Sequence, residues 1–205
     1  ISEDRLARDA GEWRNTTIAI EAFKKGLSQP QDVAIYLEDE PDATYGALAK
    51  EALRLIAALR DLGLSTGDVI SFQFPNWREG AVVDIAAAAL GLVVNPIVPI
   101  YRDAELRFIL SDAESKLILI PDQHRSIDYV NMICRLRPEL PCLKHVVTLR
   151  ATAEYPDTTR YEQLIDCDPA DESSLPVIDP NSIKCRLYTS GTTGFPKAVL
   201  HSHNT

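Results

Sequence analysis

Short apolar runs rich in Val, Ile and Leu alternate along this chain with longer segments of helical periodicity, and that alternation restricts the architecture more than any other feature. Val33-Ala34-Ile35-Tyr36-Leu37, Val69-Ile70-Ser71-Phe72-Gln73-Phe74, Leu92-Val93-Val94, Lys116 to Ile120 and His145 to Leu149 each have strand length and end in a turn signal or polar stretch. Several are apolar on successive residues, the mark of a strand covered on both faces. Between them lie helical patterns. Thr16 to Leu27 puts Ile18, Ala22 and Phe23 on one face, with Asn15 or Thr16 as cap. Tyr45 to Leu62, capped by Thr44, repeats Leu48, Ala52, Leu55, Ile56 and Leu59 and stops at Gly63, where a left-handed cap is wanted. Further helices are expected from Arg78 to Leu90, from Ala104 to Ser111 with Asp103 as cap, and from Ile127 to Arg137. Strand and helix in turn imply βαβ units: an α/β fold with a mainly parallel sheet and helices on both faces, a three-layer α/β/α arrangement.

At 205 residues, 45% hydrophobic and 25% charged, the chain can bury a sizeable core without staples. Its net charge of −9 opposes general nucleic-acid or membrane-surface binding, so any site for an anion must be local. Cys134, Cys142, Cys167 and Cys185 form no C-x-x-C pair, as expected of idle thiols in a reducing cytoplasm. The most apolar stretch, Ala81 to Ile100, is interrupted by Asp84, Asn95, Pro96 and Pro99, so no transmembrane segment is expected. The chain opens on Ile1 without a signal-peptide pattern, consistent with a start inside a longer product. No feature specifies an oligomeric state.

The alanine tract Ala86 to Ala89 offers a helix surface that another element can approach closely. Trp77, Tyr101 and Phe108 read as core or interface aromatics, and Glu38 to Asp42 as a solvated acidic turn. Residues 150–182 are polar and rich in Asp, Glu and Pro, and read as a linker or surface excursion.

Beyond that stretch, the strand-like Ile183 to Leu187 leads into Tyr188-Thr189-Ser190-Gly191-Thr192-Thr193-Gly194-Phe195-Pro196-Lys197. Glycines clear side chains so that backbone N–H groups can converge on oxygen, hydroxyls add neutral donors, and a lysine adds a compact positive charge, all of which suits a polyphosphate. Thr189, Ser190, Gly191, Thr192, Thr193, Gly194 and Lys197 are therefore the candidate phosphate-binding residues. The nucleoside-triphosphatase loop G-x-x-x-x-G-K-[ST] does not match, since no Gly-Lys pair occurs and Ala198 to His203 reads as strand. His201 and His203 alternate on that strand, but two such ligands without a third do not make a metal site.

This loop resembles the signature T-S-G-T-T-G-x-P-K-G-V of the acyl-adenylate-forming superfamily, which includes acyl-CoA synthetases, peptide-synthetase adenylation domains and firefly-type luciferases. The fixed positions match from Thr189 through Lys197, with departures at Ala198 for glycine and Thr205 for asparagine. Upstream, Thr44-Tyr45 through Leu48, departing at Gly46 and Ala47, and Gly63 to Val69 are similar to further family segments. So are Pro75-Asn76, Ala89 to Pro96 and Glu105 to Glu114, which extends the resemblance from about residue 16 onward. Val94 to Ile97 and Pro99 to Phe108 are most similar to ligases of the medium-chain and cyclohexanecarboxylate type.

The resemblance implies the N-terminal part of a synthetase-like large domain. The complete protein would activate a small-molecule carboxylic acid with Mg2+ and ATP and pass the acyl group to coenzyme A. An amino-acid-adenylating domain or a non-catalytic binding module on the same fold are the alternatives. The family's adenine, ribose, magnesium and acyl motifs and its C-terminal lysine are expected beyond Thr205, so the chain alone is expected to be inactive.

Overall fold

The computed structural model describes residues 15–38, 40–189 and 196–205. Its centre is a seven-stranded sheet in the order β11-β10-β4-β3-β5-β8-β9. These strands are β3 (Val69–Phe72), β4 (Val93–Pro96), β5 (Leu117–Pro121), β8 (His145–Leu149), β9 (Thr159–Arg160), β10 (Ile183–Thr189) and β11 (Lys197–Ser202). All neighbours run parallel except β10 and β11, which pair antiparallel. Two small hairpins flank the sheet, β1 (Val33–Ile35) with β2 (Ala43–Thr44) and β6 (Gln123–His124) with β7 (Ile127–Asp128).

Helices α1 (Ile18–Ser28), α2 (Tyr45–Asp61) and α3 (Arg78–Leu90) cover one face, and α4 (Asp103–Asp112) and α5 (Tyr129–Leu136) the other. The fourfold run of β5 shows the period-two logic directly. Leu117 and Leu119 enter the core under α1–α3, while Ile118 and Ile120 enter the core under α4 and α5. Helix α3 packs against both α1 and α2, with Ala86 to Ala89 all buried.

Several buried polar residues in and beside this sheet are bonded to one another or to main-chain carbonyls. Ser71 and Asn95 sit side by side on β3 and β4, with Asn95 Nδ2 donating to Ser71 Oγ (2.8 Å) and Ser71 Oγ in turn bonded to Ser115 Oγ (2.5 Å). Gln73, fully buried after β3, donates from Nε2 to the carbonyls of Val98 (3.1 Å) and Tyr101 (3.0 Å). One side chain thereby holds the crossover between β4 and α4 against the carboxyl end of β3.

The structure shifts several expected boundaries, each for a local reason. The α1 cap is Thr17, whose hydroxyl accepts from Ile20 N, so Ala19 and Phe23 face the core and Ile18 is exposed. Strand β1 ends at Ile35 because Leu37 N turns to donate to Asp42 Oδ1 (3.0 Å), leaving Tyr36 in solvent. Asp103 is the first residue of α4 and not its cap, since Glu105 reaches back to accept from Arg102 N (3.1 Å). Asp128 caps α5 through Asn131 N (2.9 Å), which delays that helix to Tyr129. Thr44 caps α2 as its sequence requires, and Gly63 and Gly91 take φ of +79° and +67° after α2 and α3. Within residues 150–182 the chain adds the edge strand β9 and the helical turn α6 (Tyr161–Leu164), and Tyr161 is buried in the first core with its hydroxyl on Glu51 (2.9 Å).

Two helical glycines should respond oppositely to a side chain. A Cβ at Gly26 would lie 2.6 Å from Ala49 Cβ, so α1 rests on α2 through that glycine, whereas a Cβ at Gly80 meets only Phe74 Cε2 at 3.5 Å. Gly26→Leu is expected to lower unfolding stability by about 1–3 kcal/mol. Gly80→Ala is expected to leave it unchanged or raise it by up to about 1 kcal/mol. Urea titration of both variants checks the pair.

Candidate functional site

Because the parallel strands are covered on both faces, side chains become available for chemistry mainly where the strands end. Strands β3, β4, β5, β8 and β10 all point their carboxyl ends to one edge. Cys185 pairs with Val94, which puts Leu187 level with Pro96, the last residue of β4. Thr189 therefore stands two residues, roughly 7 Å, beyond the end of its neighbour.

Opposite it in the antiparallel ladder is Lys197, the first residue of β11, and Thr189 Oγ1 donates to Lys197 O (3.4 Å). Both residues are exposed, and Lys197 makes no ion pair among the described residues. The structure thus brings together the first and last of the sequence-nominated residues. Ser190, Gly191, Thr192, Thr193 and Gly194 lie outside the described residues.

Strand β10 is fixed to both helix layers. Its ladder to β11 shifts register between Ile183 and Cys185, so Lys184 is an extra residue that escapes the normal alternation of faces. Lys184 Nζ bonds Asp84 Oδ2 of α3 (2.9 Å) on one side of the sheet. On the other side Arg186 Nη1 donates to Asp112 O (2.9 Å), and the Tyr188 hydroxyl donates to Asp112 Oδ2 at the end of α4. Burial, reinforced by that hydrogen bond to a carboxylate, pushes the Tyr188 phenol up to about 12. Phe108 meets the Tyr188 ring edge-on at 6.4 Å.

Farther along the same edge, Asp122 and Arg150 hold the loops that follow β3, β5 and β8. Asp122 is 3% exposed and accepts from Gln123 N (2.6 Å), Thr152 N (2.7 Å), Thr152 Oγ1 (2.8 Å) and the Tyr155 hydroxyl (3.3 Å). Burial raises its pKa, but these bonds outweigh burial and hold the carboxyl below the usual aspartate value. Arg150 forks onto Glu79 (3.0 and 2.9 Å), pairs with Glu40, and lies 4.3 Å over the Trp77 ring. Trp77 stacks in turn on Phe74 at 5.9 Å. The acidic turn at 38–42 is therefore not simply solvated: Glu40 is tied to Arg150, and Asp42 closes the turn on Leu37 N. Asp39 lies outside the described residues.

Among the described residues the remaining reactive groups do not assemble a second centre. His201 lies in β11, whereas His203 lies past its end, where its N–H donates to Pro180 O (3.1 Å). Burial and the nearby Lys184 push the His203 imidazole down. Among the described residues no group of three or more His, Cys, Asp or Glu is placed to hold a metal ion. Burial raises the thiols of Cys167 and Cys185, and all four cysteines are unpaired. No helix of the described residues is long and apolar enough to cross a membrane.

The sequence profile described as AMP-binding enzyme matches residues 23–205, nearly the whole chain. The chain belongs to the AMP-binding enzyme family. Among the relatives of this AMP-binding chain is the medium-chain fatty-acid–CoA ligase of Escherichia coli K12, 30% identical across the whole chain. An acetoacetyl-CoA synthetase from Streptomyces lividans superposes with a TM-score of 0.79 at 28% identity over 92% of the chain. An anthranilate CoA ligase solved with anthranoyl-AMP superposes with a TM-score of 0.83 over 97% of the chain; at 22% identity it attests to the fold. The chain spans 36% of the length of the E. coli relative, 30% of the synthetase and 36% of the anthranilate ligase.

The Asp122 anchor makes an acid-stability prediction. A carboxyl whose folded pKa lies below its unfolded value stabilises the fold above the unfolded value, about 3.9, and loses that contribution as the pH falls through the folded one. Asp122→Asn turns an amide toward donors and is expected to cost about 1–3 kcal/mol near neutral pH. The deficit relative to wild type should shrink in urea titrations taken progressively below pH 4.

Proposed function

We propose that this chain is the N-terminal part of the large domain of an AMP-forming acid–thiol ligase, and that Thr189, Ser190, Gly191, Thr192, Thr193, Gly194 and Lys197 grip the β and γ phosphates of ATP. The observation that carries this reading is the Thr189–Lys197 pair, a hydroxyl and an ammonium without an ion pair among the described residues, on strand residues paired opposite each other beyond the carboxyl edge of the sheet. The donor set fits a polyphosphate: Thr189 and Lys197 are exposed, and among the described residues no carboxylate pairs with Lys197 to compete for it. Membership of the AMP-binding family supports the nucleotide, and the CoA ligases among its relatives support the thiol acceptor.

In the proposed reaction a carboxylate oxygen of a small-molecule acid attacks the α-phosphorus of ATP. The bond from that phosphorus to the bridging oxygen of the β-phosphate breaks, and pyrophosphate leaves with the electron pair. Coenzyme A sulfur then attacks the acyl carbonyl, AMP departs, and the thiol proton passes to solvent. The residues named here form no covalent bond with substrate. Lys197 and Thr189 neutralise and orient the departing pyrophosphate, a contribution of charge and position. Mg2+ would accompany the nucleotide and supply further positive charge on the phosphates; no residue of this chain is assigned to it. The cytoplasm, where ATP and coenzyme A are abundant and thiols stay reduced, is the proposed location.

The test is acid-dependent exchange of pyrophosphate into ATP by the complete protein, with AMP release measured across a set of carboxylic acids with and without coenzyme A. Release that requires coenzyme A supports the ligase reading, and release without it points to an acyl-adenylating enzyme of another kind. Lys197→Ala is expected to slow exchange by roughly 10²-fold. Unchanged exchange in that variant would remove the assignment. The 205-residue chain alone should show no exchange, because one loop does not build a water-excluded site.

A further inference from the structure

Strand β10 carries Thr189 outward, and it is held by contacts far removed in sequence. Tyr188 and Asp112 are 76 residues apart and Lys184 and Asp84 100 apart, yet each pair joins the strand to a helix of a different layer. The strand needs such ties because it lies near the sheet margin. Only one side of β10 borders the buried parallel strands, β11 beyond it is the outermost strand, and Leu187, Val199 and Leu200 of the hairpin are all exposed. Apolar packing alone therefore constrains this hairpin less than it constrains β3 or β5.

The tie nearest the chemistry is the one at Tyr188. Its ring is buried against the second core, its hydroxyl ends on the Asp112 carboxylate, and the next residue is Thr189. Asp112 also receives Arg186 on its main-chain oxygen, so two alternate residues of β10 converge on the last residue of α4. A strand turned about its axis would have to break both. A hydrogen bond to a carboxylate is worth about twice a neutral one and is directional, which suits it to setting a rotation.

Resting on the phosphate-loop reading above, we propose that Asp112 and Tyr188 act together as positioning residues, holding the carboxyl end of β10 so that Thr189 and Lys197 meet the ATP polyphosphate at a fixed distance and angle. Neither residue touches substrate. Their effect reaches it through the two residues that do, and it bears on ATP and not on the acid. The Lys184–Asp84 pair, five residues from the hairpin end at Thr189 and on the opposite helix layer, keeps the base of the strand in place.

The experiment compares Tyr188→Phe, Asp112→Asn and the double variant in the complete protein. Steady-state ATP and acid dependences and melting temperature are measured for each. Asp103→Asn serves as control, since it breaks the exposed ion pair with Arg135 at the other end of the same helix. Both single variants are expected to raise the KM for ATP about tenfold while the KM for the acid changes less than twofold. The double variant should be no worse than Asp112→Asn alone, because that substitution already removes the carboxylate on which Tyr188 ends, together with its longer ion pair to Arg186 (3.9 Å). Asp103→Asn should leave both constants unchanged. Equal rises in the two KM values, or additive losses in the double variant, would mean that the pair only stabilises the fold and would overturn the proposal. An unchanged KM for ATP in both single variants would also overturn it. Lys197→Ala measured alongside separates the two claims: if it weakens ATP use while Tyr188→Phe does not, only the positioning role fails. If Lys197→Ala also has no effect, the phosphate-loop reading fails first.

Discussion

A parallel sheet roofed by helices on both faces has nowhere to place reactive groups except beyond the ends of its strands. That constraint organises the whole molecule. Leu117, Ile118, Leu119 and Ile120 each have about 1% exposure or less, so β5 contributes only packing. What stands at the carboxyl edge is either tied down, as Asp122 and Arg150 are, or carried outward, as Thr189 is. The two conditions serve one another: immobile loops after β3, β5 and β8 give a fixed frame past which a longer strand can project.

The chemistry of the projecting strand follows from the residue types it carries. A hydroxyl and an ammonium on directly paired strand residues form a small positive locus on a chain whose overall charge is −9. A polyanionic substrate approaching such a surface is repelled by most of it and attracted at one place, so the general field adds selectivity to the local contacts. Fixing that locus mechanically matters because electrostatic grip in catalysis depends on donors that need no reorganisation when charge develops.

Much of this was legible in the sequence because the signals are local. Helix α3 begins and ends where Arg78 and Gly91 say it should, and Thr44 and Gly63 delimit α2 through cap chemistry confined to a few residues. The double-sided apolar run of β5 and the hairpin on either side of the loop were equally readable. The misses have a common cause. Thr17 and not Thr16 caps α1 because the core selects Ala19 and Phe23, a tertiary choice between two chemically equal neighbours. Strand β9 has two residues and no periodicity to detect, and only pairing with β8 makes it a strand. The Tyr188–Asp112 and Arg150–Glu79–Glu40 contacts join residues 71 to 110 positions apart, a separation at which spacing carries no information. Tyr188 was in view beside the loop; its partner could be seen only once α4 was in place.

The central claim is that the hairpin end formed by Thr189 and Lys197 holds the phosphate tail of ATP at the carboxyl edge of the sheet. A crystal structure of the complete protein with a non-hydrolysable ATP analogue tests it most directly. The account predicts β- or γ-phosphate oxygens within hydrogen-bonding distance, about 2.7–3.2 Å, of Thr189 Oγ1 and Lys197 Nζ. Phosphates bound elsewhere, with both side chains facing solvent, would contradict it.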